Sequence, residues 1–391
     1  MFEVVEKFTS YFKWDVIDLD NWVWKLYSKA SVALCMLAAA LCICSAYFGN
    51  PIDCYGTDDK FITQYCWVHG SYHFAIEQKA LVQEIHDRTG QNCLPPEYYD
   101  DKMHERPTTE YYQWVIFMLF AHGILFLLPD YLWKFLEGGL VENFVPLNKE
   151  DPKLSAKKFD GLSKSQNRVY FCSFLGCEVL NFFVGIVNFC IMDWFLKGKF
   201  STYGTDVITY FMSGETTFNP MCSVFPTLVS CEYYTGGVGL GTMDIKNHIC
   251  MLSQNIINEK IYLILWFWIL MLFGASMIML LYRLGTILVP SVREYELLYR
   301  ARKGESEKIR SLMNKDLNLS QWFILSQIGR NSKSREFNQF LHQVEKVIGT
   351  SSSRPGDRSN NVELQGMRTT SLDQSDEPLI ENGDVKVRID G

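Results

Sequence analysis

The stretch Ile261–Leu281, IYLILWFWILMLFGASMIMLL, decides the fold of this chain. It contains no charged side chain and is flanked by Lys260 on one side and Arg283 on the other. A helix that crosses the hydrocarbon core of a bilayer needs about 20 such residues. Helices of this length in a soluble core usually keep a polar face, which this stretch lacks. We therefore expect it to span a membrane.

Three further segments resemble this stretch in length and apolar character. Tryptophan lies at the ends of two of them, at Trp114, Trp133 and Trp194, as is typical of residues at the headgroup level. Hydrophobic residues make up 48% of the chain and charged residues 21%, so four buried helices of a large soluble domain are disfavoured. The sequence predicts an all-α membrane protein whose four transmembrane helices cover residues 30–48, 111–133, 171–195 and 261–282.

Lysine and arginine are unevenly distributed between the connecting segments. Residues 1–29 and 134–170 together hold 11 of them in 66 residues, whereas residues 49–110 and 196–260 hold 9 in 127. Loops rich in these residues stay in the cytoplasm. We therefore expect cytoplasmic termini, a cytoplasmic loop at 134–170 and two extracellular loops at 49–110 and 196–260.

The chain after the fourth span divides into two parts. Residues 283–348 alternate charged and apolar residues at helical spacing, which predicts a cytoplasmic helical region, whereas residues 349–391 are polar and predict a disordered tail. The net charge of −7 and the absence of a basic stripe argue against nucleic-acid binding. Because the sequence has no Ser/His/Asp grouping, paired carboxylates or phosphate-binding loop, we expect neither an enzyme nor a cofactor.

Twelve cysteines sort by predicted location. Six lie within the spans, and three lie in each extracellular loop, at Cys54, Cys66, Cys93, Cys222, Cys231 and Cys250. An even number of cysteines in an oxidising compartment indicates disulfide bonds, although spacing alone leaves the pairing open. A zinc site is the alternative, but the sequence contains no Cys-x-x-Cys pair.

Polar residues interrupt the third span at helical spacing. Glu178, Asn181, Gly185 and Asn188 share one helix face. Such a face either makes contacts between helices or lines a pore. In the second span, Pro129 predicts a kink, because proline cannot donate the backbone hydrogen bond of a regular helix.

Several short motifs resemble those of one known family, the innexins, which are the gap-junction proteins of invertebrates. The chain has NPIDC at residues 50–54 and NEKIYLILWFW at residues 258–268. The most specific match opens the second span with Tyr111, Tyr112, Gln113, Trp114 and Val115. The resemblance covers residues 15 to about 345 and is greatest to the insect members.

This resemblance implies a large-pore channel in the plasma membrane at gap junctions. Subunits would form a ring, an octamer in the family, and two such hemichannels would dock across the intercellular gap. Other innexins and membrane lipids are the further partners implied. An undocked hemichannel that releases small metabolites, or a tetraspan adhesion or scaffold protein without a pore, are the alternative functions.

The resemblance also implies roles for individual residues. It implies disulfides from Cys54 to Cys250 and from Cys66 to Cys231. Cys93 and Cys222 are additional to the family pattern, and we expect them to form a third bridge. The N-terminal segment 1–29 would enter the pore mouth, with Phe2, Glu3 and Glu6 at the entrance.

Overall fold

The structure is a computed structural model of the chain. It describes residues 17–55, 60–69, 71–72, 108–109, 111–213, 219–236, 243–301, 306–314 and 317–351. In chain order the helices are α1 (Trp22–Phe48), α2 (Lys60–His69), α3 (Val115–Glu137), α4 (Leu140–Glu150), α5 (Pro152–Gly161), α6 (Lys164–Phe195), α7 (Phe200–Met212), α8 (Pro220–Val224), α9 (Ser253–Leu288), α10 (Pro290–Arg300), α11 (Ser306–Asn314), α12 (Leu319–Asn331) and α13 (Ser334–Ser351). The strands are β1 (Asp53–Cys54), β2 (Ser71–Tyr72), β3 (Thr108–Thr109), β4 (Leu228–Gly236) and β5 (Met243–Met251).

The predicted fold class is confirmed, because the described chain is mostly helical with one small sheet. Four of its helices, α1, α3, α6 and α9, are long and apolar enough to cross a membrane. They run past the segments predicted from apolar composition: α6 begins at Lys164 and α9 extends from Ser253 to Leu288. Composition marks the part of a helix that lies in hydrocarbon, whereas helical hydrogen bonding continues into the polar ends.

Local signals explain where several helices begin and turn. Ser163 caps α6, since its side chain accepts from the backbone of Gln166 while the Gln166 side chain accepts from the backbone of Ser163. Between α3 and α4, Gly138 and Gly139 have φ values of 62° and 76°, a left-handed conformation that side chains disfavour. This turn directs α4 away from the second span.

The sheet is antiparallel and has the strand order β1-β5-β4-β2-β3. Strands β4 and β5 pair over their full nine residues, and β1 adds Cys54 opposite Cys250. We call this sheet, together with α2, the disulfide end. Its own small core includes Ile52, Tyr112 and Val229.

A second core, separate from that of the disulfide end, lies where α4, α5 and α10 to α13 pack together. It continues without a break into the ends of the membrane helices through Trp24, Trp133 and Phe174. We call these six helices the tail bundle. Helix α13 reaches Ser351, slightly beyond the predicted end of the helical region at residue 348, and residues 352–391 of the predicted tail lie outside the described residues.

Candidate functional site

Two disulfide bonds tie the two predicted extracellular loops together. Cys54 is bonded to Cys250 and Cys66 to Cys231, across sequence separations of 196 and 165 residues. All four side chains are buried in the small core of the disulfide end. The first bond joins β1 to β5, and the second joins α2 to β4, so each bond connects a segment of the first loop to a strand of the second.

The arrangement also bears on the zinc alternative. Among the described residues, the sulfurs of Cys54, Cys66 and Cys250 lie within 4.8 Å of one another, close enough to share a metal ion. Because these sulfurs already form disulfide bonds, they are not available as thiolate ligands.

Two further sets of predicted residues are only partly visible. Cys222 is buried in α8 and is disulfide-bonded, but Cys93 lies outside the described residues. Phe2, Glu3 and Glu6 also lie outside them. The third bridge and the pore entrance therefore stay predictions.

The family motif at the start of the second span fastens that span to the disulfide end. The hydroxyl of Tyr112 donates to the carbonyl oxygen of Trp67 at 3.1 Å, and the side chain of Gln113 donates to the carbonyls of Trp67 and Val68. These acceptors are the last turn of α2, whose carbonyls have no partner within the helix. The motif thus caps the helix that carries Cys66.

The other three motif residues face different surroundings. The hydroxyl of Tyr111 donates to the carbonyl of Val224 at 2.6 Å and so joins α3 to α8. Trp114 is exposed, whereas Val115 is buried in the membrane core. Residues 111–113 therefore make hydrogen bonds to segments of both predicted extracellular loops, α2 in the first and α8 in the second. The sequence pattern alone does not show these contacts.

A buried ion pair lies at the first position of the polar stripe. Arg283 of α9 donates from Nε and Nη2 to the two carboxylate oxygens of Glu178, at 2.8 and 2.9 Å. Only 6% of the Arg283 side chain and 4% of the Glu178 side chain are exposed. The Asn21 side chain, just before α1, donates a further hydrogen bond to Glu178. Helices α6 and α9 and the residue that precedes α1 thus meet at one carboxylate.

Aromatic rings enclose the guanidinium of this pair. Its central carbon lies 5.0 Å from the ring centre of Phe174 and 5.3 Å from that of Phe323. Because Phe323 belongs to α12, the pair also joins the membrane helices to the tail bundle. The negative face of an aromatic ring attracts a cation at such distances, and a planar guanidinium can in addition stack on the ring.

The remaining stripe residues are buried between helices of the same chain. The side-chain oxygen of Asn188 lies 2.7 Å from Nδ1 of His122 in α3. A β-carbon at Gly185 would come within 2.9 Å of the Tyr27 hydroxyl, so glycine permits the close approach of α1. Asn181 is also buried. This geometry favours contact between helices over a pore lining. Helix α3 continues through Pro129 to Glu137, and the kink stays a prediction.

Sequence reasoning missed the partner of Glu178. Arg283 looks like a flanking charge that ends the fourth span, yet it is buried with its carboxylate partner 105 residues away. Lys134, the first residue of the predicted cytoplasmic loop, likewise forms an ion pair at 3.2 Å with the buried Asp130. A carboxylate within an apolar span was the one signal that a cationic partner should be sought.

A second charged cluster lies in the tail bundle. Glu296 of α10 accepts from Arg300 at 2.6 Å, from the hydroxyl of Ser326 and from Tyr282 at 2.8 Å. Burial by itself would raise the pKa of Glu296, but the charge of Arg300 and these hydrogen bonds outweigh it and lower that pKa. The carboxylate form thereby links α10 to α12 and to the end of α9.

Comparison with known proteins gives matches across this whole arrangement. Residues 20–348 match a family model described as Innexin. The chain is 33% identical over 362 residues to Innexin inx2 of Drosophila melanogaster, which covers 89% of this chain and 96% of that protein. Innexin inx2 of Schistocerca americana is also 33% identical over 362 residues, with coverage of 89% and 98%. Innexin inx4 of Drosophila melanogaster is 28% identical over 375 residues, with coverage of 91% and 99%.

Proposed function

The chain belongs to the innexin family of gap-junction channel proteins, and from this premise we propose how its parts serve the channel. The disulfide end faces the extracellular gap and docks with the same end of a hemichannel on the neighbouring cell. The tail bundle and both termini lie in the cytoplasm. The four spans form the wall of the pore in the plasma membrane.

The orientation rests on two independent features. Disulfide bonds persist in oxidising compartments, and both described bonds lie at the same end of the membrane helices. The loop that would be cytoplasmic, residues 134–170, carries seven lysine and arginine residues. An epitope after Gly391 or near Glu150 should be detected only after permeabilisation, and one near Gly237 on intact cells. Labelling of the Gly391 tag on intact cells would contradict the orientation.

The disulfide end carries the docking proposal. Its two bonds join segments of both loops into a sheet and helix with a buried core. A surface that is already fixed loses less conformational entropy on association than two free loops would. This preorganisation is what docking of two identical surfaces requires.

Assembly into a ring accounts for the apolar surface that a single subunit leaves uncovered. Tyr47 and Phe48, at the end of α1 beside the disulfide end, are 83% and 91% exposed. Exposed side chains of this kind on a span are covered by lipid or by a neighbouring subunit. Eight subunits are the number implied by the family resemblance, and other innexins are candidate partners. The mass of the detergent-solubilised ring, compared with the 45.3 kDa chain, tests the number.

The N-terminal segment supplies charge to the pore. Glu3 and Glu6 are three residues apart, and a ring multiplies each by the number of subunits. The pore should then favour cations modestly, because salt screens charges beyond about 8 Å in a wide pore. In the Glu3→Gln/Glu6→Gln variant, the reversal potential in asymmetric salt should move toward zero, the value for a pore without charge selectivity. An unchanged reversal potential would remove these residues from the pore.

A third bridge between the loops is the remaining proposal about the cysteines. Cys222 is disulfide-bonded, the other two described bonds use four cysteines, and six further cysteines are thiols. Cys93 is the one cysteine of the sequence that this assignment leaves over. Peptide mapping without reduction should yield a Cys93–Cys222 peptide, and alkylation of Cys93 in the native protein would contradict it.

Transfer of dye between paired cells tests the function itself. Cells that express the wild-type chain should pass dye to their partner, and Cys66→Ser should abolish transfer because it opens the disulfide end. Cys190→Ser is the matched control, because Cys190 is an exposed thiol of α6 and forms no disulfide. Dye uptake by single cells without any transfer between pairs would favour the undocked hemichannel instead.

A further inference from the structure

The last residues of α12 hold the backbone that leads into the first span. The side-chain amide of Asn331 donates to the carbonyl oxygen of Asp18 at 2.9 Å, and its oxygen accepts from the backbone N–H of Asp18. One carboxamide therefore satisfies both backbone groups of a residue 313 positions away. A buried or half-buried backbone that is paired in this way is held in one position.

The orientation of this carboxamide is fixed from its own helix. The Asn331 nitrogen also donates to the carbonyl of Gln327, one turn earlier in α12, at 3.0 Å. A rotation of the amide would break three hydrogen bonds at once. The contact is therefore specific for asparagine.

The neighbouring arginine extends the contact toward the membrane. Arg330 donates to the carbonyl of Asp20 and, at 3.5 Å, to the side-chain oxygen of Asn21. The other end of the Asn21 amide donates to Glu178 of the buried ion pair. Asn21 thus lies between a cation of the tail bundle and a carboxylate of α6, and it immediately precedes α1 at Trp22.

Charges on the entering segment complete the arrangement. Asp18 forms an ion pair with Lys25 of α1 at 2.5 Å, and its second carboxylate oxygen lies 3.9 Å from Arg330. The segment at residues 18–21 therefore contacts α1, α6 and α12 together. We call these contacts of Arg330 and Asn331 with residues 18–21 the entry clamp.

We propose that the entry clamp couples the tail bundle to gating, so that a displacement of α12 changes the open-to-closed ratio of the channel. The inference rests on the proposed channel function, and it adds a route by which cytoplasmic events act on the pore. A modification or partner that moves the bundle would act through two residues at the end of one helix. Coupling requires an element with two arrangements that both sites bias; the structure shows the clamp formed, and we take its release as the second arrangement.

Two perturbations of opposite sense test the coupling. Asn331→Ala releases the clamp by removing hydrogen bonds, each of which contributes modestly, and should change the open-to-closed ratio by about five- to tenfold. Asp18→Cys with Asn331→Cys, oxidised by copper phenanthroline in excised patches, should hold the clamp closed. We expect the oxidised pair to shift the voltage dependence in the direction opposite to that of Asn331→Ala, and reduction to reverse the shift.

Matched variants separate coupling from loss of folding. Asn338→Ala removes an asparagine of the same bundle that bonds to the carbonyl of Ala301 at 3.3 Å, and it should leave gating unchanged. Asn331→Asp keeps the shape and the acceptor but loses the donor, so it should reproduce the effect of Asn331→Ala if the latter fails to reach the surface. Surface biotinylation of each variant reports expression independently of gating.

The outcomes distinguish this inference from the proposed function. If wild-type pairs conduct and both released and cross-linked channels gate like wild type, the entry clamp has no role in gating while the channel function stands. Shifts of the same sign in the two perturbations would also overturn the coupling. If wild-type pairs carry no junctional current, the gap-junction function fails, and the recordings from excised patches then decide the coupling alone.

Discussion

Replacing Glu178 with leucine should destabilise the protein strongly without altering the conductance of channels that still form. The substitution removes both hydrogen bonds of the wild-type pair, at 2.8 and 2.9 Å, and leaves Arg283 buried without its carboxylate. Removal of one partner from a buried ion pair costs about 3–5 kcal/mol. Since only 6% of the Arg283 side chain is exposed, water does little to compensate the cation.

A double variant gives the sharper result. Glu178→Leu with Arg283→Met replaces the whole pair with apolar side chains, which is often close to neutral for a buried pair. We therefore expect the double variant to be more stable than Glu178→Leu alone, with an interaction free energy of about 2 kcal/mol in the double-mutant cycle. Thermal unfolding in detergent, followed by size-exclusion chromatography, measures the order of stability, and surface biotinylation measures delivery to the membrane.

The control and the contrary results are clear-cut. Glu294→Leu removes a carboxylate whose partner Arg310 is 73% exposed, so it should cost less than about 1 kcal/mol. Glu178→Leu channels that reach the surface normally but show a changed unitary conductance would refute the buried structural role and favour a pore lining. Additive effects of the two single substitutions would refute the direct pairing.

Three other perturbations test separate parts of the structure. Gly204→Ala places a methyl group about 2.2 Å from the Trp266 ring and should destabilise the packing of α7 on α9 by about 1–3 kcal/mol. Gly274→Ala is the control, because among the described residues its added β-carbon would have no neighbour within 4 Å beyond its own turn of helix, and thermal unfolding compares the two variants. Folding lowers the pKa of Glu296, so its carboxylate stabilises the protein at neutral pH, and this stabilisation is lost as the pH falls through the lowered pKa. Glu296→Gln should therefore lower the stability at pH 7 and flatten the acid side of a stability–pH curve. Cys66→Ser should cost about 2–5 kcal/mol, and equal melting temperatures of variant and wild type under oxidising conditions would contradict a structural bond.

Apolar composition was enough to predict the four spans and the fold class, because burial in hydrocarbon demands long uncharged runs. It could not predict where the helices end: Lys164 and Ser253 begin helices well before the apolar runs do. Nor could spacing reveal the partner of Glu178, since a contact across 105 residues depends on how the helices pack. The pairing of β4 with β5 over nine residues was not predicted from the sequence either.

In the candidate site too, the sequence reveals some residues but not the contacts they make. The motif that begins at Tyr111 was recognisable as a pattern, but its acceptors on α2 and α8 lie 45 to 113 residues away and belong to the backbone. Backbone acceptors have no sequence signature, so a motif that binds them can be recognised without its role being deduced. The contact of Asn331 with Asp18 is of this kind too.

The wide sequence separation of the two disulfides has a consequence for biosynthesis. Under the proposed orientation, Cys54 enters the lumen of the endoplasmic reticulum while its partner is still 196 residues from being synthesised, and Cys66 waits for 165 residues. At a translation rate of about 5–20 residues per second, the wait is roughly ten to forty seconds. During that time neighbouring thiols of the first loop are free to pair with one another. The two bonds can form only after the second loop has entered the lumen, so a first-loop cysteine that has meanwhile paired elsewhere must be released by thiol–disulfide exchange.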